Sequence, residues 1–404
     1  MKANNDIIII GGGAAGCVAA ITAAESGKRV LLLEGNDRLL LKLGITGKGR
    51  CNLTNDCDTE TFLRNTKTNP RFLQSALNAF TGRDTMDFFE ELGVPLKVER
   101  GNRVFPVSNQ ASDVAGALKR RLNILGVRIV TDRAVSLLIE GGEVRGVKCE
   151  HGTYHASKVI IATGGLSYPK TGSTGDGYRL AEAVGHRIIP PKAALVPLVT
   201  REDVSELAGL TLRNVKLSVN EYSEQGEMLF THFGISGPLV LSASCYITGD
   251  THSDDPCKIT IDLKPALDEQ TLDKRILRDF AGNKNKQIQN ALDALLPKKL
   301  ILPVIRQAEI EPVKQVNAIT AAERGRLSGA LKGFTLTFAG FRPIDEAVIT
   351  DGGIDTREIN PKTMESKLVK GLHFAGEVID VAAFTGGFNL QIAFSTGYAA
   401  GKAE

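Results

Sequence analysis

The chain has 404 residues, of which 42% are hydrophobic, so it can bury a sizeable core and is too long for one ordinary domain. A net charge of only +3 gives no general electrostatic case for binding nucleic acid or a membrane surface. The six cysteines show neither C-x-x-C spacing nor pairing with histidine, which argues against a structural zinc ion or a dithiol relay, and we expect no metal site.

Targeting signals are not visible in the sequence. The N-terminus runs into a strand pattern without the basic and apolar regions of a signal peptide. No apolar run approaches the roughly 20 residues that a membrane-spanning helix needs. We therefore expect a soluble, cytoplasmic protein with reduced thiols and no membrane partner.

The first elements predict a strand, a helix and a second strand. Asp6 to Ile10 and Arg29 to Leu33 are short apolar runs, and Ala14 to Ser26 between them is rich in small, helix-compatible residues. Gly27 stands where a helix C-cap is expected. The chain therefore begins with a βαβ unit.

The loop inside this unit has the spacing G-x-G-x-x-G. Gly11 permits a tight turn, Gly13 lets a pyrophosphate approach the helix N-terminus, and Gly16 allows the helix to pack closely on the strand. Glu34, at the end of the second strand, can accept hydrogen bonds from a ribose diol and disfavours a 2′-phosphate, so NADP is a poor candidate here. The sequence predicts dinucleotide binding, and the predicted loop reads Gly11-Gly12-Gly13-Ala14-Ala15-Gly16.

The next segment changes from helical to alternating periodicity. Helices are predicted at 70–80, 84–92 and 112–125. Three alternating runs then predict an antiparallel meander with a tight Gly141-Gly142 turn, and an apolar run from Lys158 to Thr163 predicts a strand that returns to a buried parallel sheet. The meander strands are predicted at 127–131, 134–139 and 143–149.

The middle of the chain has a different pattern of hydrophobic and polar residues. After Pro190-Pro191 strand-like pieces such as 211–219 and 258–263 lack helical alternation, which indicates an inserted β-rich domain. The stretch 268–332 is helical and slightly basic, with Thr320 and Glu323 spaced as a capping box. Strands resume after Phe334, and a last helix is predicted from about 389 to 400.

Two further segments favour FAD over NAD. The A-T-G-G end of the predicted strand at 158–163 and the G-L-H-F-A-G-E-V-I-D segment near the C-terminus follow the order found in two-dinucleotide-binding flavoproteins, where the aspartate accepts bonds from ribitol hydroxyls. A T-G-G-F-N turn then precedes the last helix, whose positive end would stabilise negative charge on the flavin pyrimidine. The cofactor-binding residues predicted in these segments are Thr163, Gly164, Gly376, Glu377, Asp380, Gly386, Gly387, Phe388 and Asn389.

Over its full length the chain resembles a bacterial family of FAD-binding proteins, described as aminoacetone-oxidase-like or as NAD(P)/FAD-dependent oxidoreductases, which includes bile-acid-reducing members. The motifs that carry the resemblance are T-G-K-G-R-C-N-L-T-N at 46–55, S-Y-P-K-T-G-S-T-G at 167–175, L-F-T-H-F-G-I-S-G-P at 229–238 and N-P-K-T-M-E-S-K at 360–367. Where the family tends to have G-K-K-L and G-G-G-R-C-N, this chain has Leu40-Leu41-Lys42-Leu43 and Gly47-Lys48-Gly49-Arg50. These departures can alter cofactor affinity or redox tuning without threatening the fold.

The resemblance implies an α/β fold, with a two-dinucleotide-binding, Rossmann-like FAD domain split by a β-barrel-like domain that carries a small helical domain. The expected boundaries are 1–192 and 346–404 for the FAD domain, 193–267 and 334–345 for the β-rich domain, and 268–333 for the helical domain.

The resemblance also places further residues along the cofactor. Arg50 and Asn52 are expected to donate to flavin or pyrophosphate oxygens. Cys51 invites a redox interpretation with Cys57 as its partner, but the family motif implies a packed loop residue. The remaining cofactor-binding residues expected here are Lys42, Thr46, Gly47, Gly49, Cys51 and Val135.

We expect an FAD-dependent oxidoreductase that exchanges a hydride between flavin N5 and a small organic substrate. Amine oxidation with oxygen and NAD(P)H-dependent ene reduction both stay open, and without a second G-x-G-x-x-G a nicotinamide would bind only transiently. His232 and Tyr168 are candidate catalytic residues, although a structural role is the commoner one for such a histidine. An enzyme that modifies nucleic acid and a flavin-holding sensor or assembly protein without turnover are the alternatives, but we expect no nucleic-acid partner.

Overall fold

The computed structural model describes residues 5–247 and 257–403, and the chain divides into two compact units. The first unit combines Met1–Ala194 with Ile344–Glu404, and the second is the continuous segment Leu195–Pro343. The finer division of the second unit into a β-rich and a small helical domain stays a prediction.

The first segment of the first unit alternates helices with short strands. Its elements are β1 (Ile7–Ile10), α1 (Ala14–Glu25), β2 (Val30–Glu34), α2 (Leu41–Ile45), β3 (Thr54–Asn55), α3 (Thr59–Arg64), β4 (Thr66–Thr68), α4 (Pro70–Ala79), α5 (Gly82–Glu91), β5 (Leu96–Glu99), β6 (Arg103–Pro106), α6 (Ala111–Ile124), β7 (Arg128–Thr131), β8 (Ala134–Glu140), β9 (Glu143–Cys149), β10 (Thr153–His155), β11 (Lys158–Ile161), α7 (Asp176–Glu182) and β12 (Ile188–Ala194).

The second unit and the return to the first unit complete the chain. The elements of the second unit are β13 (Leu198–Thr200), β14 (Thr211–Val219), β15 (Tyr222–Thr231), β16 (Gly234–Ser236), α8 (Pro238–Ser244), β17 (Lys258–Asp262), α9 (Glu269–Ala281), α10 (Lys298–Gln307), α11 (Ala321–Lys332) and β18 (Phe334–Phe341). Those of the returning segment are β19 (Ile349–Ile354), β20 (Leu372–Phe374), β21 (Ala382–Ala383) and α12 (Phe388–Lys402).

A parallel five-stranded sheet in the order β20-β11-β1-β2-β7 forms the centre of the first unit. All four residues of β1 and of β11 are buried. Continuous apolar strands of this kind are expected where both faces of a parallel sheet are covered. The sheet brings the carboxyl ends of β1, β2, β11 and β20 to one edge, where the predicted cofactor segments follow.

The predicted meander was wrong in one strand. The segment around Arg128 to Thr131 is β7, which pairs in parallel with β2 in the central sheet, and the antiparallel meander is instead β8-β9-β10. Its third strand, β10, was missed because Thr153–His155 is only three residues long. The Gly141-Gly142 turn joins β8 to β9 with φ values of 60° and 79°, as a two-residue hairpin requires.

Helix α1 packs against helix α12, so the two ends of the first unit share one core. A Cβ atom at Gly397 would overlap the carbonyl oxygen of Ala15, and one at Gly401 would lie 2.5 Å from the carbonyl oxygen of Ala19. The two helices therefore approach more closely than residues with side chains at these two positions would allow.

The second unit contains a closed six-stranded barrel in the order β13-β16-β15-β14-β17-β18. This arrangement confirms the predicted fold class, an α/β Rossmann-type domain combined with a barrel and helical elements. The predicted capping box is present at the start of α11, where the Thr320 side chain accepts from the Glu323 N–H and the Glu323 carboxylate accepts from the Thr320 N–H. Within residues 5–247 and 257–403, no helix is long and apolar enough to cross a membrane.

A buried histidine joins distant parts of the first unit. The Oγ atom of Ser366 accepts the N–H groups of Leu368 and Val369 at 3.0 and 2.9 Å, so its hydroxyl proton is directed to Nε2 of His186, 2.7 Å away. His186 is therefore neutral and donates from Nδ1 to Glu358, at 3.0 Å. Burial lowers the pKa of the His186 imidazole, which agrees with this assignment.

Acid should destabilise the protein through His186 and His373. Burial lowers the pKa of His373 to about 3 and also lowers the pKa of His186, whereas the unfolded chain protonates both rings below about pH 6.5. Each ring should therefore make the free energy of unfolding fall as the pH drops below that value, by about 1.4 kcal/mol per pH unit for His373, which stays neutral in the folded state. Urea unfolding between pH 7 and 5 measures the slope, which His186→Asn should reduce. The same substitution at the exposed His155 on β10 is the matched control, and equal slopes for both variants would contradict the assignment.

Candidate cofactor site

The β1–α1 loop has the shape of a phosphate cradle. A Cβ at Gly11, where φ is +104°, would lie 2.5 Å from the carbonyl oxygen of Ala162, and one at Gly16 would overlap the carbonyl oxygen of Gly11. Gly13 is different, because no atom lies within 4 Å of the place where its Cβ would be. The first turn of α1 carries no acidic side chain. The loop thus leaves the positive end of α1 open at Gly13, which is what an incoming diphosphate needs.

Glu34 lies at the end of β2 with its carboxylate held in place. Its Oε2 accepts the Gly12 N–H at 2.7 Å, and its Oε1 accepts both the backbone N–H and the side-chain amide of Asn36 at 2.9 Å. A carboxylate has about four acceptor positions and three are occupied here, so about one remains for a hydroxyl of a ribose diol. Glu34 therefore fits the role that its position in the sequence predicts.

The end of β11 meets the same edge of the sheet. The Ala162 N–H donates to the carbonyl oxygen of Ile10 at 2.8 Å, which brings Thr163 next to the β1–α1 loop. The Oγ1 atom of Thr163 is buried and has no hydrogen-bond partner in the part of the chain that the structure describes. Gly164 follows with φ at +76°. A buried hydroxyl without a partner costs stability unless a ligand or water satisfies it, so Thr163 supports cofactor binding here.

Glu377 connects four separate segments of the first unit. Its Oε2 accepts from the Lys42 ammonium at 2.7 Å, and its Oε1 accepts from the Ser167 hydroxyl and the Thr350 N–H at 2.9 and 2.8 Å. Lys42 also donates to Ser167 at 2.5 Å. Lys42 and Glu377 therefore compensate each other's charge and hold together the segments to which they belong.

Asp380 and Gly376 lie on either side of Glu377. Burial raises the pKa of Asp380, and the nearby Asp351 also raises it. The Asn69 amide, which donates to Oδ2 of Asp380 at 2.9 Å, acts in the opposite direction but does not cancel the shift. Hydroxyl donors would relieve this cost of burial, as expected for a carboxylate that binds ribitol. Gly376, with φ at +76°, approaches helix α1 so closely that its Cβ would lie 2.8 Å from that of Ala15.

The loop after α2 contains an unusual run of left-handed residues. The φ values of Gly47, Lys48, Gly49 and Cys51 are 57°, 59°, 80° and 60°. Lys48 thus occupies, with a side chain, a conformation that glycine adopts without strain. Thr46, just before the run, donates its hydroxyl to the carbonyl oxygen of Leu43 at 2.7 Å.

Arg50 is held by protein groups. Its Nη2 donates to Glu99 at 2.5 Å, its Nε donates to Asn109 at 3.0 Å, and its guanidinium carbon lies 4.1 Å from the centroid of the Phe105 ring. These contacts occupy most of the donors that were expected to reach the cofactor. The direct contact of Arg50 with FAD therefore stays a prediction.

The cysteines of this loop have the properties of packed residues. Burial raises the pKa of Cys51 to about 12 and that of Cys57 to about 11. Both thiols are therefore protonated at neutral pH, whereas redox-active cysteines need a thiolate. These values favour the packing role over the redox role.

The turn before α12 meets the same loop. The Asn52 side chain accepts the N–H of Gly387 at 3.0 Å, and Gly386 and Gly387 both have positive φ. Phe388 points into the core, with its ring 5.0 Å from that of Phe62, so only its backbone is available to a cofactor. Asn389 hydrogen-bonds back to Ala383.

Of the remaining three predicted residues, two belong to the first unit and one to the second. Val135, on β8, is 40% exposed, and its carbonyl oxygen accepts from Arg179 at 2.7 Å. Tyr168 is half-buried, with a left-handed backbone at φ 53°. His232 is an exposed residue of the second unit between β15 and β16.

Sequence reasoning missed several residues of this cluster. Ser167 and Asn55 stand inside motifs that were recognised, so their positions were visible but their partners were not. Thr350 and Asn69 carry no local signal, because their partners are far away in the sequence. No group of three or more His, Cys, Asp and Glu residues suited to a metal ion occurs within the described ranges.

Comparisons with known proteins identify the family. The HI0933-like protein Rossmann domain family matches residues 5–403. The 3-dehydro-bile acid delta(4,6)-reductase of Clostridium scindens is 33% identical over 406 residues, which cover 99% of this chain and 98% of that protein. The ribosomal RNA dihydrouridine synthase of Haemophilus influenzae is 34% identical over 407 residues, with 99% and 98% covered.

A solved structure adds information on the fold alone. The 3-ketosteroid delta1-dehydrogenase from Sterolibacterium denitrificans has a TM-score of 0.53 and 14% identity, and the match covers 98% of each chain. The open cradle at Gly13, the oriented Glu34 and the unpartnered Thr163 fit a flavin dinucleotide, as the sequence predicts. The chain therefore belongs to the HI0933-like family of FAD-binding Rossmann proteins, and it is an FAD-dependent oxidoreductase.

Proposed function

We propose that this enzyme reduces a carbon–carbon double bond conjugated to a carbonyl group. The observation that carries the proposal is the chemistry shared by two relatives matched over nearly their whole lengths. One is named for reducing double bonds of a 3-oxo bile acid, and the other for forming dihydrouridine, in which the double bond next to a uracil carbonyl is saturated. Of the two reactions expected from the sequence, ene reduction is therefore favoured over amine oxidation.

The residues of the first unit bind and orient the cofactor in this proposal. Gly13 and the N-terminus of α1 receive the diphosphate, Glu34 the adenosine ribose, and Asp380 the ribitol. Bound at these residues, reduced FAD would supply the hydride that the β carbon of the substrate needs. The electrons come from NAD(P)H or another donor. Because no second G-x-G-x-x-G is present in the sequence, this donor would bind only transiently.

The substrate α carbon also needs a proton, for which Tyr168 is our leading donor. It lies in the unit that contains the cofactor segments and follows Ser167, whose hydroxyl bonds to Glu377 at 2.9 Å. A left-handed backbone is costly for a bulky residue, and such strain is found preferentially at functional positions. His232 is the second candidate, because histidine side chains commonly transfer protons near neutral pH.

An anaerobic absorbance experiment tests the reaction. In one arm the flavin of the purified protein is reduced with dithionite, and a 3-oxo-Δ4 steroid or a uridine-containing ribosomal RNA transcript is added. In the other arm an amine is added to the oxidised protein. We expect a conjugated carbonyl compound to restore the oxidised spectrum while its own double bond disappears. Reoxidation by the transcript would assign the same chemistry to RNA, whose absence as a partner stays a prediction. Bleaching of the oxidised protein by an amine, with no response to either conjugated substrate, would overturn the proposal.

Tyr168→Phe should slow the oxidative half-reaction specifically. We expect reoxidation by the conjugated substrate to be about 100-fold slower or more, because the proton donor is lost. Flavin content and reoxidation by oxygen should stay unchanged, since neither needs a proton on a substrate carbon. Stopped-flow absorbance measures both rates, with Tyr154→Phe as the matched control. A loss in His232→Gln instead of Tyr168→Phe would transfer the role to the histidine.

A further inference from the structure

Two asparagines of the R-C-N-L-T-N motif reach across the fold to the turn before α12. When the Asn52 amide is oriented so that its nitrogen faces acceptors and its oxygen faces a donor, it donates to the carbonyl oxygens of Thr54 and Val104 at 3.1 and 3.2 Å and accepts the Gly387 N–H at 3.0 Å. The amide of Asn55, which is 5% exposed, donates to the carbonyl oxygen of Gly386 at 3.1 Å and to that of Gly101 at 3.0 Å. Both side chains therefore join the turn to the β3–β6 region.

The turn needs such support because of its conformation. Gly386 and Gly387 have φ values of 135° and 100°, and a Cβ at Gly387 would overlap the carbonyl group of Thr54. On the other side, the Asn389 side chain accepts the Ala383 N–H at 3.0 Å and donates to the Ala383 carbonyl oxygen at 2.8 Å. Side-chain amides thus fix the turn from both sides.

We infer that Asn52 and Asn55 are positioning residues that hold the 385–389 turn against the 46–55 loop, so that the two segments bind the flavin half of FAD as one wall. The inference rests on the FAD site of the proposed function but not on its reaction. The adenosine diphosphate half is assigned to a different place, the Gly11–Gly16 loop and Glu34. The two halves of the cofactor therefore depend on different residues.

Because the two halves of FAD are assigned to different residues, binding measurements alone can test the inference. Each amide makes hydrogen bonds to backbone groups of the turn and of the β3–β6 region, and losing one leaves its partner in the turn unsatisfied. We expect the dissociation constant of FAD to rise about tenfold or more in Asn52→Asp and in Asn55→Ala. ADP, which lacks the flavin, should bind these variants within about twofold of the parent protein.

The experiment uses calorimetric titration of the full-length apo-protein with FAD and with ADP. Asn52→Asp keeps the side-chain size but turns a second oxygen toward the two carbonyl groups. Asn214→Asp in the second unit makes the same charge change at an exposed residue that bonds to Gln225, and it should leave both constants unchanged. Flavin fluorescence of the loaded variants is the second readout, and it should rise because a less restrained ring is quenched less.

Three outcomes would overturn the inference. Unchanged FAD binding and fluorescence in both variants would show that the amides do not position the flavin half. A parallel loss of ADP and FAD binding would show that they support the whole site. Thermal unfolding of the apo-proteins identifies a variant that fails to fold, and the milder Asn55→Ser then replaces it. Unchanged ADP and FAD constants in Asn55→Ser would also count against the inference. Failure of the proposed reaction would appear only in the reoxidation experiment, since no turnover is measured here.

Discussion

Gly13→Val is expected to fold like the parent protein and to be purified without colour. Gly13 has φ −79° and ψ −167°, a conformation that valine adopts readily, and no atom lies within 4 Å of the position of the new Cβ. The side chain would instead fill the space above the N-terminus of α1, where the diphosphate must approach the backbone N–H groups. We expect FAD affinity to fall about a thousandfold or more, which corresponds to about 4 kcal/mol.

The ratio of flavin to protein absorbance and a titration of apo-protein with FAD measure this effect. Gly340→Val is the matched control, because Gly340 on β18 of the second unit also has open space at its Cβ position. The control should stay yellow, and both apo-proteins should unfold at nearly the temperature of the parent. A Gly13→Val protein that kept its full colour would show that the diphosphate is not bound at this loop.

Gly397→Val should disrupt the first unit itself. The new Cβ would overlap the carbonyl oxygen of Ala15 and lie 3.1 Å from its carbonyl carbon, and neither backbone atom can rotate away. Helix α12 would have to move off α1, with loss of packing along their shared face. We expect a destabilisation of about 3 kcal/mol or more, a large part of the stability of a typical domain. Urea unfolding and the yield of yellow protein measure it.

A matched pair of alanine variants isolates the close helix contact. Gly397→Ala should destabilise the protein, because the Cβ atom alone already overlaps Ala15. Gly116→Ala, on helix α6 of the same unit, should be neutral or stabilising by up to about 1 kcal/mol, since only the mobile end of Arg120 lies near the new atom. Equal effects at the two glycines would show that helix propensity, rather than the contact of α1 with α12, decides the outcome.

The elements that could be predicted from sequence are those with local signals. The Gly141-Gly142 hairpin and the Thr320–Glu323 capping box depend on residues within a few positions of each other, and both are present. The alternating run that became β7 could not be assigned, because an edge strand of a parallel sheet and a meander strand share the same two-residue period. Only the pairing of Leu31 with Arg128, distant in the sequence, distinguishes them.

The residues of the cofactor site also fall into those with a local sequence signal and those without one. Gly13 and Glu34 belong to one βαβ unit with a fixed spacing, and the structure leaves both available to a dinucleotide. The partners of Lys42, however, lie 125 and 335 positions away, and nothing near Lys42 indicates that a carboxylate will meet it. The bond of Asn52 to Gly387 could not be predicted either, since the motif shows which residues occur together and not which atoms they face, and the expected contact of Asn52 with the cofactor stays a prediction.

The divided first unit has a consequence for biosynthesis. A nascent chain that has reached residue 343 already contains all of the continuous second unit, but it lacks β20 and α12. The neighbour of β11 in the central sheet and the helix that covers α1 therefore leave the ribosome only after the whole insertion has been translated. Until then the first unit lacks these two elements, and the residues predicted to bind the cofactor between Gly376 and Asn389 have not been synthesised.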